Sequence, residues 1–463
     1  MTEVAYRSAD ASPGENPVSA DGMAPGLPLL TNVAWTFMGH VVYAACQWGT
    51  VTVLARLGTP EMVGEFALAL AITAPVFMLA GLQLGSVLVT DANHTYSFGD
   101  YLGLRLVTML LALLATAGIS IATGYEAQTI VVILAVGVGK AFESISGVFH
   151  SLLQRHERMD RIAISTMIKG PLSLAALGTA VYLSGSLLWG ALGLATVRGA
   201  MLVGYDILSA ALLLKAVRQL RNPVSNTMNV RAELRPQFDF RTLAQLAWLA
   251  LPLGLTMMLI SLNRSIAQYI VERFLGRGEL GLFAAMAYII VVGNLVVGAL
   301  GQSAAPRLAR YYGQGDGAAF RKLLTRLIMV GVALGGAFVL AALAAGEQIL
   351  ALVYGPEYAR HLDAFIWLMV AAAIYYVASF MGYGMTAARY FRVQMPLFAL
   401  VAATSGLACL WLAPSYGLRG AAMARVVTAM VQAAGGIAVI AHALRSIRKM
   451  AKGELELDNQ DRH

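Results

Sequence analysis

The sequence predicts an all-α polytopic membrane protein with twelve transmembrane helices. They should form two six-helix lobes, related by a pseudo-twofold along the membrane normal, around a central cavity. Three observations predict this. First, 58% of the 463 residues are hydrophobic and 13% are charged, against about 45–50% and about 25% in soluble domains. Second, apolar stretches long enough to cross about 30 Å of hydrocarbon recur from residue 31 to residue 443. Third, Leu57-Gly58-x-x-Glu61-x-x-Gly64-x-Phe66-Ala67 returns as Leu275-Gly276-x-x-Glu279-x-Gly281-x-Phe283-Ala284. This composition excludes an ordinary soluble enzyme, a disordered chain and a disulfide scaffold.

In chain order, residues 1–28 read as a flexible tail, because Pro13, Pro17, Pro25 and Pro28 sit among Gly and Ser with no apolar signal segment. Helices follow at 31–55, 64–90, 101–123, 127–153, 160–183 and 187–214, completing a first lobe over 29–214. A basic linker, 215–242, separates them from helices at 243–271, 280–304, 319–344, 361–388, 393–413 and 417–443, a second lobe over 243–444. A tail, 445–463, closes the chain. Two further repeats support this division. Arg155-x-x-Arg158 returns as Arg389-x-x-Arg392, and Gly190-Ala191 returns as Gly420-Ala421. Six spans in each half insert both halves the same way up. Lys and Arg concentrate in alternate loops and in the last tail, which places both termini in the cytoplasm. The formal net charge of +8 therefore reports orientation in a membrane rather than a nucleic-acid partner. Cys46 and Cys409 lie inside apolar segments and read as small buried hydrophobes.

Charges inside the spans are the candidate site. Placing Arg, Lys or Asp at the bilayer centre costs roughly 2.5–3.5 kcal/mol each, so Lys140, Arg198, Arg264 and Arg425 should turn inward. Around them run polar stripes: Thr36, His40, Tyr43, Gln47 and Thr50 in the first helix; Lys140, Ser144, Gly147, Ser151 and Gln154 in the fourth; Ser261, Ser265, Gln268 and Glu272 in the seventh, flanked by Asn263. Asn294 belongs to the eighth. Simpler roles stand beside these. Lys140 and Glu143 form an i,i+3 pair that can neutralise itself, or else serve coupling or gating. Arg198 can pair with Asp206, two turns on, or with another helix. His40 can be an interhelical hydrogen-bond contact, and Arg425 can snorkel to the surface. Arg264 has no acid within a turn, which makes it the better partner for an anionic ligand. Arg155, Arg158, Arg389 and Arg392 read as topology anchors, or as cations meeting anionic head groups at a cytoplasmic mouth. Pro252 and Gly170-Pro171 should kink their helices. Gly139-Lys140 does not complete a phosphate-binding loop, since Leu134 stands where its first glycine would be. No metal or cofactor is expected.

Several segments resemble one family. Leu57-Gly58 with Gly64-Glu65-Phe66-Ala67, Pro306-Arg307-Leu308-Ala309 with Gly315-Asp316 and Phe320-Arg321, Tyr354-Gly355-Pro356-Glu357-Tyr358, and Pro414-x-Tyr416-Gly417-x-x-Gly420-Ala421-Ala422 occur in an order similar to that of polysaccharide-repeat-unit flippases of the multidrug/oligosaccharidyl-lipid/polysaccharide exporter superfamily. The resemblance spans residues 29–445. It implies a non-enzymatic transporter of the bacterial inner membrane that moves a polyprenyl-pyrophosphate-linked oligosaccharide outward by alternating access, for exopolysaccharide, capsule or O-antigen biosynthesis. It further implies a glycan polymerase and a chain-length regulator as partners. A multidrug/toxin extrusion antiporter of the same superfamily is the first alternative, and an acid-lined cavity would mark it. A membrane enzyme of cell-envelope glycan assembly is the second, disfavoured by the short outer loops.

Overall fold

The computed structural model describes residues 28–91, 95–221 and 233–460. Most of the expected N-terminal tail, the middle of the expected linker and the last three residues lie outside them. Every regular element among the described residues is helical.

Helix α1 (Leu29–Leu57) stops at extended Gly58, and Pro60 opens α2 (Pro60–Gly81) at a position where its missing amide is no loss. Leu82 and Gln83, both left-handed with φ of 50° and 48°, break this span before the short α3 (Leu84–Thr90). Helix α4 (Phe98–Ala122) starts in a capping box: the Ser97 hydroxyl accepts from the Asp100 amide at 3.2 Å, and the Asp100 carboxylate accepts from the Ser97 amide at 2.9 Å. Then come α5 (Ala127–Arg155) and α6 (Met159–Ser184), the latter ended by left-handed Gly185. The next span is α7 (Leu187–Met201), a π-helical turn (Leu202–Asp206) and α8 (Ile207–Arg221).

The second half begins with α9 (Phe240–Leu275), capped by Asp239, whose carboxylate accepts from the Thr242 amide at 3.1 Å. It continues through α10 (Arg277–Tyr288), α11 (Ile290–Gly313), α12 (Gly317–Val353), α13 (Pro356–Ala359), α14 (Leu362–Ala387) and α15 (Phe391–Gln460). Ten helical runs among the described residues are long and apolar enough to cross a membrane. Helix α1, with its polar stripe, is not one of them. The last run, Val393–Ser446, holds both expected helices 393–413 and 417–443, divided at Gly417 (φ 60°, ψ −143°).

Pro171 and Pro252 lie inside α6 and α9, and neither helix contains a non-helical residue. The breaks fall at Leu82–Gln83, at Ala345 (φ −142°) and at Gly417. Missing amides alone do not break a span when neighbouring helices hold it on both sides.

The two halves meet at the face that carries the repeated motif. Gly64 of α2 lies so close to the carbonyl of Arg277 that no Cβ would fit, and Gly281 of α10 bears the same relation to the carbonyl of Pro60. One sequence offset relates both pairs, which is the reciprocity a local two-fold produces. Glycine here is a matter of backbone approach, as small residues are between membrane helices generally. Around this contact Leu54, Val63, Leu68, Leu280, Phe283, Leu350 and Cys409 join one apolar core drawn from both halves. Three polar links reinforce it: Trp48 Nε1 donates to the Tyr354 hydroxyl at 3.0 Å, Tyr125 donates to Glu272 at 3.4 Å, and Arg56 donates to the carbonyls of Ala351 and Val353 at 2.8 and 3.2 Å. Helix α9 runs on down the first half, with Leu243, Leu246 and Ala250 packed against Leu82, Leu84 and Tyr101.

Replacing Gly281 by Ala should force the backbones apart, at about 1–3 kcal/mol for an overpacked contact. We expect a lower thermal midpoint of the detergent-purified protein. Gly336→Ala, where an added Cβ meets nothing within 4 Å, should leave that midpoint unchanged.

Candidate functional site

Helix α5 carries Lys140, Glu143, Ser146 and His150 at steps of three or four, so they line one face from mid-span toward its end. Glu143 is the hub of the first cluster. Its carboxylate accepts from the Tyr43 hydroxyl of α1 at 2.5 Å and pairs with Arg198 of α7 at 3.3 Å and with Lys140 at 3.8 Å. Gln47, one turn beyond Tyr43, donates to the tyrosine hydroxyl at 2.9 Å. A recess between α1, α6 and α7, lined by Tyr43, Gln47, Thr50, Ser173 and Arg198, has room for little more than a water molecule. Tyr288, from the second half, lies within electrostatic reach of both Arg198 and Glu143. The cluster therefore sits where the halves meet.

A second cluster lies deeper. Asp206, fully buried on the π-helical turn, accepts from Ser165 at 2.6 Å and from Ser146, contacts His150 Nε2 at 3.1 Å and pairs with Lys169 at 3.6 Å. Lys169 also donates to Ser146 at 3.1 Å and lies within reach of Glu143. The extra residue per turn of a π segment re-aims the side chains around it, and here Asp206 points at α5 and α6. Of the two pairings open to Arg198, the structure has the one with another helix: Arg198 pairs with Glu143, and Asp206 belongs to Lys169 and His150. Lys169 is masked in the sequence by the Gly170-Pro171 that follows it, and His150 stands one residue off the Lys140, Ser144, Gly147, Ser151 stripe. Arg105 belongs to none of the expected stripes. It is buried on α4, donates to Ser144 at 3.1 Å and leaves its Nε without a partner.

The second half is different. Arg264, 25 residues into the 36-residue α9, is exposed. No hydrogen bond or ion pair reaches its side chain among the described residues. Arg425 of α15 lies within electrostatic reach of Arg264, beside Tyr375 and Cys409. It is half-buried. Two unneutralised guanidinium groups thus share one region. Asn263, with its buried Oδ1 unbonded, and half-buried Gln268 lie along the same helix.

The remaining expected residues are scattered. His40 is exposed on α1, and Asn294 is half-buried on α11. Arg155 donates to the Asp91 carbonyl at 2.7 Å, and Arg158 grips Asp160 through two bonds of 3.0 and 2.7 Å. Both therefore hold local structure. Burial would raise the Asp91 carboxyl, but the amides of Thr95 and Tyr96 outweigh it and hold that group below its ordinary value. Arg389 sits in a left-handed turn (φ 62°), and the Arg392 side chain lies outside the described part.

Comparison with known proteins gives a consistent family. The family model described as "Polysaccharide biosynthesis protein" matches residues 29–312. The capsular polysaccharide biosynthesis protein CapF of Staphylococcus aureus is 28% identical over 403 residues, covering 87% of this chain and 97% of CapF. Among solved structures, the lipid II flippase MurJ in an inward closed conformation matches with a TM-score of 0.67 at 10% identity, over 90% of each chain. An inward-facing multidrug resistance MATE family transporter matches with a TM-score of 0.62 at 13% identity, over 93% of this chain and 98% of that one. These two likenesses concern the fold.

Removing Asp206 leaves Lys169 buried without its partner. Asp206→Ala should therefore destabilise by about 3–5 kcal/mol, whereas replacing both partners with apolar residues should cost much less. Unfolding of detergent-purified Asp206→Ala and Asp206→Leu/Lys169→Met proteins measures the difference.

Proposed function

The chain belongs to the polysaccharide biosynthesis protein family, and from that premise we propose that it is a flippase for a polyprenyl-pyrophosphate-linked oligosaccharide. The observation that carries this reading is the pair Arg264 and Arg425, mid-span cations with no carboxylate between them. A pyrophosphate supplies the missing negative charge, and a guanidinium can grip it through two parallel hydrogen bonds. Asn263, Gln268, Asn294, Gln47 and His40 offer amide and ring nitrogens to sugar hydroxyls. The lipid tail stays in the bilayer. The lobes rock about this site, opening it first to one side and then to the other.

The proposal places the protein in the bacterial inner membrane with both termini in the cytoplasm. Arg389, Arg392 and the basic ends of the spans face anionic lipid there. It assigns the chain no catalytic step, and a glycan polymerase and a chain-length regulator receive its product. A multidrug extruder is the competing role for this fold. The same two arginines disfavour it, because they would repel a cationic drug.

Arg264→Ala should lower polymer export by about tenfold or more, the loss expected for a charge-assisted hydrogen bond, while membrane insertion stays normal. Arg264→Lys should retain part of the activity, because it keeps the charge and loses the fork. Export at parental level from a well-inserted Arg264→Ala protein would remove Arg264 from the site.

A further inference from the structure

The cations of the first half are not bare, and the group that neutralises them is unusual. Tyr43, Lys140 and Arg198 come from three helices and converge on the carboxylate of Glu143. A hydroxyl, an ammonium and a guanidinium are the donors that phosphate and carboxylate ligands recruit. We propose that Glu143 is a built-in stand-in for a substrate oxyanion. Its carboxylate occupies a second anion subsite that a phosphate or a sugar-acid carboxylate takes over when substrate arrives. This rests on the flippase reading and specifies how the first half takes part in it.

Four observations carry the idea. The Glu143 side chain is 30% exposed although its Oε2 is buried, while that of Arg198 is 6% exposed, so the acid borders open space and the guanidinium is fixed in the packing. Arg198 Nε is buried without a hydrogen-bond partner, and Glu143 Oε2 lacks a hydrogen bond as well. The site therefore holds a spare donor that Glu143 does not satisfy. Arg198, Lys140 and Lys169 outnumber Glu143 and Asp206 by one formal charge, without counting His150. A dianion in place of one carboxylate removes that excess. Finally, Tyr43 ties α1 to the carboxylate, and the recess beside it is too small for a phosphate. Displacing Glu143 therefore frees α1 at this point, and ligand binding and movement of α1 become one event.

The test uses the full chain in detergent with Arg264→Ala and Arg425→Ala already installed, so that only this cluster can respond. Binding of inorganic pyrophosphate and of glucuronate is measured by calorimetry. Adding Glu143→Gln should tighten at least one of them by about tenfold, the worth of removing a charged competitor. Tyr43→Phe should tighten it less, and Arg198→Ala should abolish it. Tightening confined to pyrophosphate identifies the phosphate group as the ligand, and tightening confined to glucuronate identifies an acidic sugar. Unchanged or weaker binding of both by a folded Glu143→Gln protein would overturn the proposal. If that variant does not fold, unchanged affinity in Tyr43→Phe overturns it. Polymer export by Arg264→Ala reads the flippase assignment separately, so either idea can fail alone.

Discussion

An ionised side chain among membrane-spanning helices must be paired or wet, since stripping its water costs several kcal/mol even after relaxation. The two halves of this protein meet that constraint in opposite ways. The first half pairs three of its cations, Lys140 and Arg198 with Glu143 and Lys169 with Asp206, and sets Arg105 on the Ser144 hydroxyl. The second half leaves Arg264 without a carboxylate, with Arg425 beside it. The repeat explains how. Under the offset that relates Arg155 to Arg389, Ile374 and Val377 of α14 stand where Lys140 and Glu143 stand on α5. Under the offset that relates Gly190 to Gly420, Gly436 stands where Asp206 does. The acids of these two clusters have no counterpart in the second repeat, whose Arg264 and Arg425 are left without them.

Much of the fold was legible because hydrocarbon imposes a simple code. Apolar length set the spans, and the repeated Leu-Gly motif marked equivalent helix starts. The motif proved to be more than a boundary signal. Gly64 and Gly281 touch the opposite backbone, so the same residues that reveal the repeat also join its halves. Helix breaks were less legible. Proline announces a missing donor, yet Pro171 and Pro252 sit in continuous helices, whereas Leu82 and Gln83 turn left-handed with no glycine to signal it.

The site was legible one helix at a time. Arg264, Arg198, Lys140 and Glu143 were visible as charges in apolar runs, and Gln47 followed from the α1 stripe. Their pairing was not, because it is decided by which helices pack together. Arg198 had an acid two turns away in its own span and chose one from α5 instead. Asp206 turned to α5 and α6 through a π-helical turn that no periodicity announced. A chain of partners drawn from four helices leaves no local spacing to read.

The placement of the paired charges bears on how the halves can separate. Tyr43, Lys140, Glu143, His150, Lys169, Arg198 and Asp206 all lie in the first half, so a rigid rotation of one half against the other breaks no ion pair among them. What such a rotation must break at the motif face is backbone packing around Gly64 and Gly281, apolar contact, and a few bonds such as Trp48 to Tyr354 and Arg56 to the carbonyls of Ala351 and Val353. Those donors and carbonyls meet water when the face opens, so little of their hydrogen-bonding energy is lost. With these ion pairs kept inside one half, separation at the motif face is resisted by apolar area and a few hydrogen bonds rather than by ion pairs. That is the cheaper barrier inside a membrane.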